Sequence, residues 1–200
     1  MDKLFFKIVF LVLFLSNLIL GQGYVDYENI DKNDVLDALS FSGINIFNFQ
    51  IDSTTENYDF YIIAEEYAGR DNLIKTDTLM GEGSFKISNE KINEIRFITM
   101  ITNSSYAKVK LQISTPSVLT WKELEMEKEY VRKHYWVKFV KSDTKDNRKI
   151  PLLFFGSEWD AIINGQKTTR FCSLNEVPVD LSGDAISEMP HFYVLSYLLK

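Results

Sequence analysis

One cysteine, two histidines, four prolines and nine glycines are all that 200 residues contain of the types that cross-link, ligate metals or interrupt a chain. A single cysteine, Cys172, cannot close an internal disulfide, so the fold must rest on packing, and the chain is long enough to bury a core. So little proline and glycine excludes a collagen-like repeat and any long linker. The two histidines, His134 and His191, stand far apart with no cysteine or second histidine near either, which is not the clustered spacing of a zinc site. Each is expected to pack in or beside a strand. Positive charge is also in deficit, with a formal net charge of −6. A negative field repels phosphate backbones and anionic lipid, and no basic run is interleaved with aromatics, which argues against nucleic-acid binding.

What is present is an ordinary globular composition, 46% hydrophobic and 25% charged, behind an unusual start. The opening MDKLFFKIVFLVLFLSNLILGQG places Lys3 and Lys7 before an apolar run from Ile8 to about Leu15. The run continues through Ser16 and Asn17 to Leu20 and ends in Gly21 and Gly23. That is the three-part layout of a cleavable secretory signal peptide. An apolar stretch of about 20 residues could also be retained as a membrane anchor. Ser16 and Asn17 interrupt it, however, and the glycines suit a signal peptidase, so cleavage after Gly21 is expected. Losing Asp2, Lys3 and Lys7 leaves 20 basic and 27 acidic residues, a formal charge of −7. Lipid anchoring would need a cysteine just after the run and finds none, so no membrane insertion is expected once the leader is gone.

Residues 22–40 are polar and acidic. DKNDVLDALS suggests a helical turn or two, capped by Asp31 or Asn33. From Phe41 the pattern turns to strands. KVKLQIS, 108–114, alternates Val109, Leu111 and Ile113 with Lys108, Lys110 and Gln112, as a strand with one wet face does. NEIRFITMITN, 93–103, is apolar on both phases and reads as a central strand covered on both sides. Asn103, Ser104 and Ser105 would turn it into the next strand. INIFNFQI slips phase between Ile46 and Phe47, which predicts a bulge or bend. YDFYIIAEEY, LIKTDTLMGEGSFKI, Tyr130–Val140, IPLLFFG and the closing HFYVLSYLL complete the strand set, with at most a short helix before Tyr130. AII-NG-QKTTRF reads as a hairpin, with Asn164 and Gly165 supplying a type I′ turn. About nine or ten strands with no βαβ rhythm describe an all-β antiparallel sandwich, immunoglobulin-like or jelly-roll-like. It is read as one domain over 41–200, with two small sandwiches meeting near Pro116 as the other arrangement.

No motif with known chemistry accompanies this fold, so no catalytic residue, metal site or cofactor is assigned. DKNDVLD and DTKDN lack the glycine and glutamate of a calcium-binding EF-hand loop. Ser142 to Lys145 fits S-x-x-K without the companion motifs of that enzyme class. Cys172 with His191 could pair as thiolate and base, but Cys172 reads as a small buried hydrophobe. GEGS at 81–84 has the wrong order for a nucleophile elbow. Glu65 and Glu66 are adjacent and so point to opposite faces of a strand. Glu123, Glu125, Glu127 and Glu129 would share one face, a solvated or edge-protecting row. Asn103-Ser104-Ser105 fits a glycosylation acceptor, relevant only to a eukaryotic secretory route.

Aromatic content, 14% with three tryptophans and ten tyrosines, carries the functional promise. An exposed ring can stack on a sugar or anchor a protein interface. Trp136 sits inside a strand and reads as core. Trp121 and Trp159 border loops and are the candidate ligand-binding residues. The segments FNFQIDSTTENYDFYIIAEEY and ISEMPHFYVLSYLL, with the leader, resemble small uncharacterised exported proteins of gut Bacteroidetes. The resemblance implies a bacterial envelope location, periplasmic or extracellular, and no assigned activity. The expected function is an exported, non-enzymatic binding or accessory protein of the envelope, with a protein or a glycan as partner. Its sharper form is a carbohydrate-binding module, and the rival is a glycan hydrolase. N-terminal sequencing of the exported protein should return Gln22 first; Met1 at the terminus would mean that the leader is retained.

Overall fold

The computed structural model describes residues 31–51, 58–81, 86–87, 94–102, 107–140, 149–170 and 175–200. The leader, Asn103-Ser104-Ser105, Ser142–Lys145, the DTKDN run, Cys172 and Ser84 of GEGS lie outside them. The chain divides into two units, 1–35 and 36–200. In the first, Asp31 Oδ1 accepts from the amides of Asn33 and Asp34 at 2.6 and 2.9 Å, and Asp34 Oδ2 accepts from the Asp31 amide at 2.8 Å. This reciprocal cap starts helix α1 (Lys32–Phe41), longer than the turn or two expected.

The second unit is all-β and sandwich-like. One sheet has four antiparallel strands in the order β1 (Ile44–Gln50), β5 (Glu94–Ile101), β6 (Lys108–Ser114) and β7 (Leu119–Glu125). The larger sheet runs β12 (Glu176–Val177), β8 (His134–Phe139), β9 (Lys149–Ser157), β13 (Phe192–Leu199), β2 (Tyr58–Tyr67) and β3 (Leu73–Met80). The short β4 (Lys86–Ile87) pairs with β2. All its pairs are antiparallel except β12 with β8. β10 (Trp159–Ile163) and β11 (Gln166–Arg170) form the expected hairpin, with φ of 52° at Asn164 and 76° at Gly165.

Two clusters hold these layers together. Ile95, Phe97, Val109, Leu111 and Ile113 from the four-stranded sheet pack against Phe60, Ile62, Leu153, Phe155 and Leu195 from the larger one. On the other face of the larger sheet, Phe154, Phe192 and Val194 pack with Trp159, with Ile186 of helix α2 (Asp184–Ser187), and with Met189. Adjacent Phe154 and Phe155 thus enter different cores, which is why IPLLFFG and HFYVLSYLL read as unbroken apolar runs. Each such side chain, fully buried, contributes roughly 1.5–3 kcal/mol. A bulge between β9 and β13 leaves Leu152 as the extra residue and lets Pro151, which has no amide proton, sit in an interior strand.

The four-stranded sheet departs from the sequence reading in two ways. β1 pairs with β5 in unbroken register, so no bulge follows the slip at Ile46 and Phe47. Phe47 and Phe49 turn inward, while Ile46 points out. β5 is covered on one side only, with Ile98 and Met100 on the open face. WKELE, 121–125, lies in strand β7, and the short helix allowed before Tyr130 is one 3₁₀ turn at Lys128–Tyr130.

Gly81 has φ +113°, and a Cβ there would collide with the backbone of Phe60 and Tyr61. Gly81→Ala should cost about 3 kcal/mol in urea denaturation. Gly69→Ala, at φ +81° with nothing within 4 Å, should cost about 1 kcal/mol.

Candidate functional site

Strand order brings polar residues from four neighbouring strands into line at one end of the larger sheet. His134 opens β8 and lies opposite Ser157, the last residue of β9. His191 immediately precedes β13, whose Tyr193 lies opposite Glu66 near the end of β2. All five are buried, His191 completely and Glu66 to 7% exposure. Here the structure corrects the view of two isolated histidines, because His134 Nε2 lies 3.3 Å from His191 Nδ1. His191 Nε2 lies 2.9 Å from Glu66 Oε1. At the other end of the chain, His134 Nδ1 faces the Arg132 carbonyl at 2.7 Å. The Ser157 hydroxyl donates to the His191 carbonyl at 2.8 Å. Rings enclose the group: Tyr130 stacks on His191 at 4.4 Å and 8°, Tyr193 meets it edge-on, and His134 stacks on Phe155.

These partners dictate the protons. A carbonyl only accepts, so His134 Nδ1 carries a hydrogen and neutral His134 offers Nε2 as an acceptor. His191 Nδ1 must then donate to it. A Glu66 carboxylate oxygen would also accept, which leaves His191 Nε2 needing a second hydrogen. His191 thus meets an imidazole nitrogen at one ring edge and the Glu66 carboxylate at the other. Burial drives His134 down to about 4, opposed by its bond to the Arg132 carbonyl. Burial also pushes His191 down, while the hydrogen bond and charge of Glu66 pull it up. Burial and Glu66 together hold Tyr193 far above its ordinary value, so it stays a phenol. Glu65, on the opposite face of β2, pairs with Lys149 instead.

Beside this chain lies a cleft of about 370 Å³, walled by Tyr130, Trp159 and Pro190 and lined by Ser157, Arg132, Asp160, Glu129 and Glu188. Its charges are mostly matched. Asp160 pairs with Arg132 and Lys167, each at 3.2 Å, and Glu188 pairs with Arg170. Lys167 and Arg132 hold the Asp160 carboxyl below its usual range, so it accepts hydrogen bonds rather than supplying a proton. Among the described residues, no three His, Cys, Asp or Glu side chains are grouped to hold a metal ion.

The two candidate tryptophans fall in different places. Trp159 is 5% exposed, with the Arg170 guanidinium over its ring at 5.5 Å. Its indole nitrogen is buried without a hydrogen-bond partner among the described residues. Trp121 is 63% exposed on the outer face of β7. Trp136 is half-buried, stacked on Phe155 at 4.2 Å. Of the four glutamates in the run, Glu123 and Glu125 share the outer face of β7 and pair with Lys108. Glu127 and Glu129 belong to the 3₁₀ segment beyond it. Sequence reading missed Glu66, His134 and His191 as a unit. Their one sequence signal is that each is a polar residue inside or beside an apolar strand run.

Residues 21–200 match the model of a domain of unknown function, DUF5041, and the chain belongs to that family. No curated protein and no solved structure matches it. Among the described residues no helix is long and apolar enough to cross a membrane.

Because folding lowers His134 from 6.5 to about 4, the unfolded chain takes up protons first as pH falls. The fold should keep full stability above about pH 6.5 and lose on the order of 3 kcal/mol by about pH 4 from this residue. Urea midpoints across that range should show the slope, and His134→Asn should flatten it; an unchanged slope would refute the assignment.

Proposed function

We propose that this member of the DUF5041 family is an exported, non-enzymatic binding or accessory protein of the cell envelope, and that it recognises a glycan on the open face of its four-stranded sheet. The observation that carries this reading is a row in register across all four strands: Ile46, Ile98, Gln112 and Trp121. Leu119, 56% exposed, lies two residues before Trp121 on the same face, and the half-open Met100 lies two residues after Ile98. Polar groups stand in the rows on either side. Arg96 is held by Asn48 Oδ1 at 3.0 Å and Glu94 at 3.1 Å, and Lys110 and Glu123 lie opposite one another. A sugar ring has an apolar C–H face and a polar rim, so a flat ring bordered by donors and acceptors complements it. The apolar leader supports export to the periplasm or beyond.

A hydrolase would need an acid kept protonated beside a second carboxylate. On the open face the carboxylates of Glu94, Glu123 and Glu125 are engaged by Arg96 and Lys108, and in the cleft Asp160 is held as the anion. Both observations favour binding over bond cleavage.

Glycan-array screening of the chain from Gln22 to Lys200 should give specific binding, with a change in tryptophan emission. Trp121→Ala should reduce that binding at least tenfold at an unchanged urea midpoint, since the ring contributes little to the core. Equal binding by the variant would overturn the reading. Silence across the array, with a cross-linked protein partner in intact envelopes, would do the same for the glycan.

A further inference from the structure

We infer that the cleft between Tyr130 and Trp159 is a second ligand site, separate from the open sheet face, and that it takes a single neutral sugar residue. The first reason is an unmet donor. Trp159 lines the cleft and is almost wholly buried, yet its Nε1–H has no partner among the described residues. Buried indole donors are normally bonded, and an acceptor oxygen brought by a ligand supplies what the described residues do not. The second reason is the complement of acceptors. Ser157 gives its hydroxyl proton to the His191 carbonyl and retains lone pairs, while Asp160 is kept as a carboxylate and fixed in place by Arg132 and Lys167. Hydroxyl groups are what such acceptors take up.

Charge selects against ions. Asp160 and Glu188 are each matched by cations, so the cleft offers many hydrogen bonds but a weak net field. A neutral polyol gains the bonds without having to displace an ion pair, whereas a carboxylate or an amine would have to break one. The walls complete the match. One face of the Tyr130 ring is committed to His191, which holds the ring rigid as the apolar side of the cleft. Pro190 and the Trp159 ring provide further C–H contact.

The test uses saturation-transfer NMR on the folded chain from Gln22 to Lys200. The probes are the methyl glycosides of glucose, galactose, mannose and N-acetylglucosamine, with glucuronate and ethanolamine as charged comparisons. At least one neutral glycoside should show transfer, with a dissociation constant in about the millimolar range expected of a single small ligand. Trp159→Phe keeps a ring and deletes the N–H, and should weaken that binding about tenfold. Asp160→Asn, at the protein surface, should do likewise, and it decides the matter if near-UV circular dichroism shows Trp159→Phe misfolded. Trp121→Ala should leave binding at this site unchanged. The inference falls if no neutral glycoside shows transfer or if only a charged probe does. It also falls if both cleft variants bind like the parent protein, or if the signal disappears with Trp121→Ala, which would assign the sugar to the sheet face alone. Because the two sites are tested by different variants, failure of one leaves the other standing.

Discussion

Strand β13 hydrogen-bonds to β9 along one edge and to β2 along the other, so it has no open edge within the sheet. Its two faces feed separate cores, Tyr193 and Leu195 on one side and Phe192 and Val194 on the other. A strand buried this completely cannot slip by one residue without exchanging its two faces, and register is therefore strongly specified. Everything at the end of the larger sheet inherits that precision. His191 can reach both His134 and Glu66 because β13 lies between the strands that carry them, with β9 bringing Ser157 alongside.

The chain of His134, His191 and Glu66 stands where an apolar strand end would be simpler to bury. Taking ionisable groups out of water costs several kcal/mol each unless the geometry satisfies them. Here each has a hydrogen-bond partner, and aromatic rings pack around the group. The arrangement is therefore stiff, and it stiffens what it touches. Tyr130 comes from a single 3₁₀ turn that no sheet hydrogen bonds hold, and stacking on His191 is what fixes its ring. The buried chain acts less as a reactive centre than as the support for one wall of a cleft.

The two proposed recognition surfaces differ in shape. The open sheet face is flat, with apolar side chains in register and charges placed in neighbouring rows, which suits contact along an extended ligand. The cleft is concave, with fixed acceptors and a donor that lacks a partner among the described residues, which suits a single residue of one. The histidine pair has both ring edges of each imidazole bonded or faced by neighbours inside the protein.

The β-rich class, the strand at 108–114, the Asn164-Gly165 hairpin and the doubly buried closing strand were legible because each depends on local chemistry. A period-two pattern, a residue pair that tolerates positive φ, and an apolar run of strand length all report themselves within ten residues. The open face was less legible. Ile46, Ile98 and Met100 look like core positions in sequence, and only the strand pairing shows that they lie on the face turned away from the core. The polar chain was not legible at all, since His134 and His191 are 57 residues apart and His191 and Glu66 are 125 apart. By itself, then, the amino-acid sequence determined which residues share a face of a strand. The tertiary structure alone decided which faces and which strand ends meet, because strand order and register are set by pairing between segments that no local pattern connects.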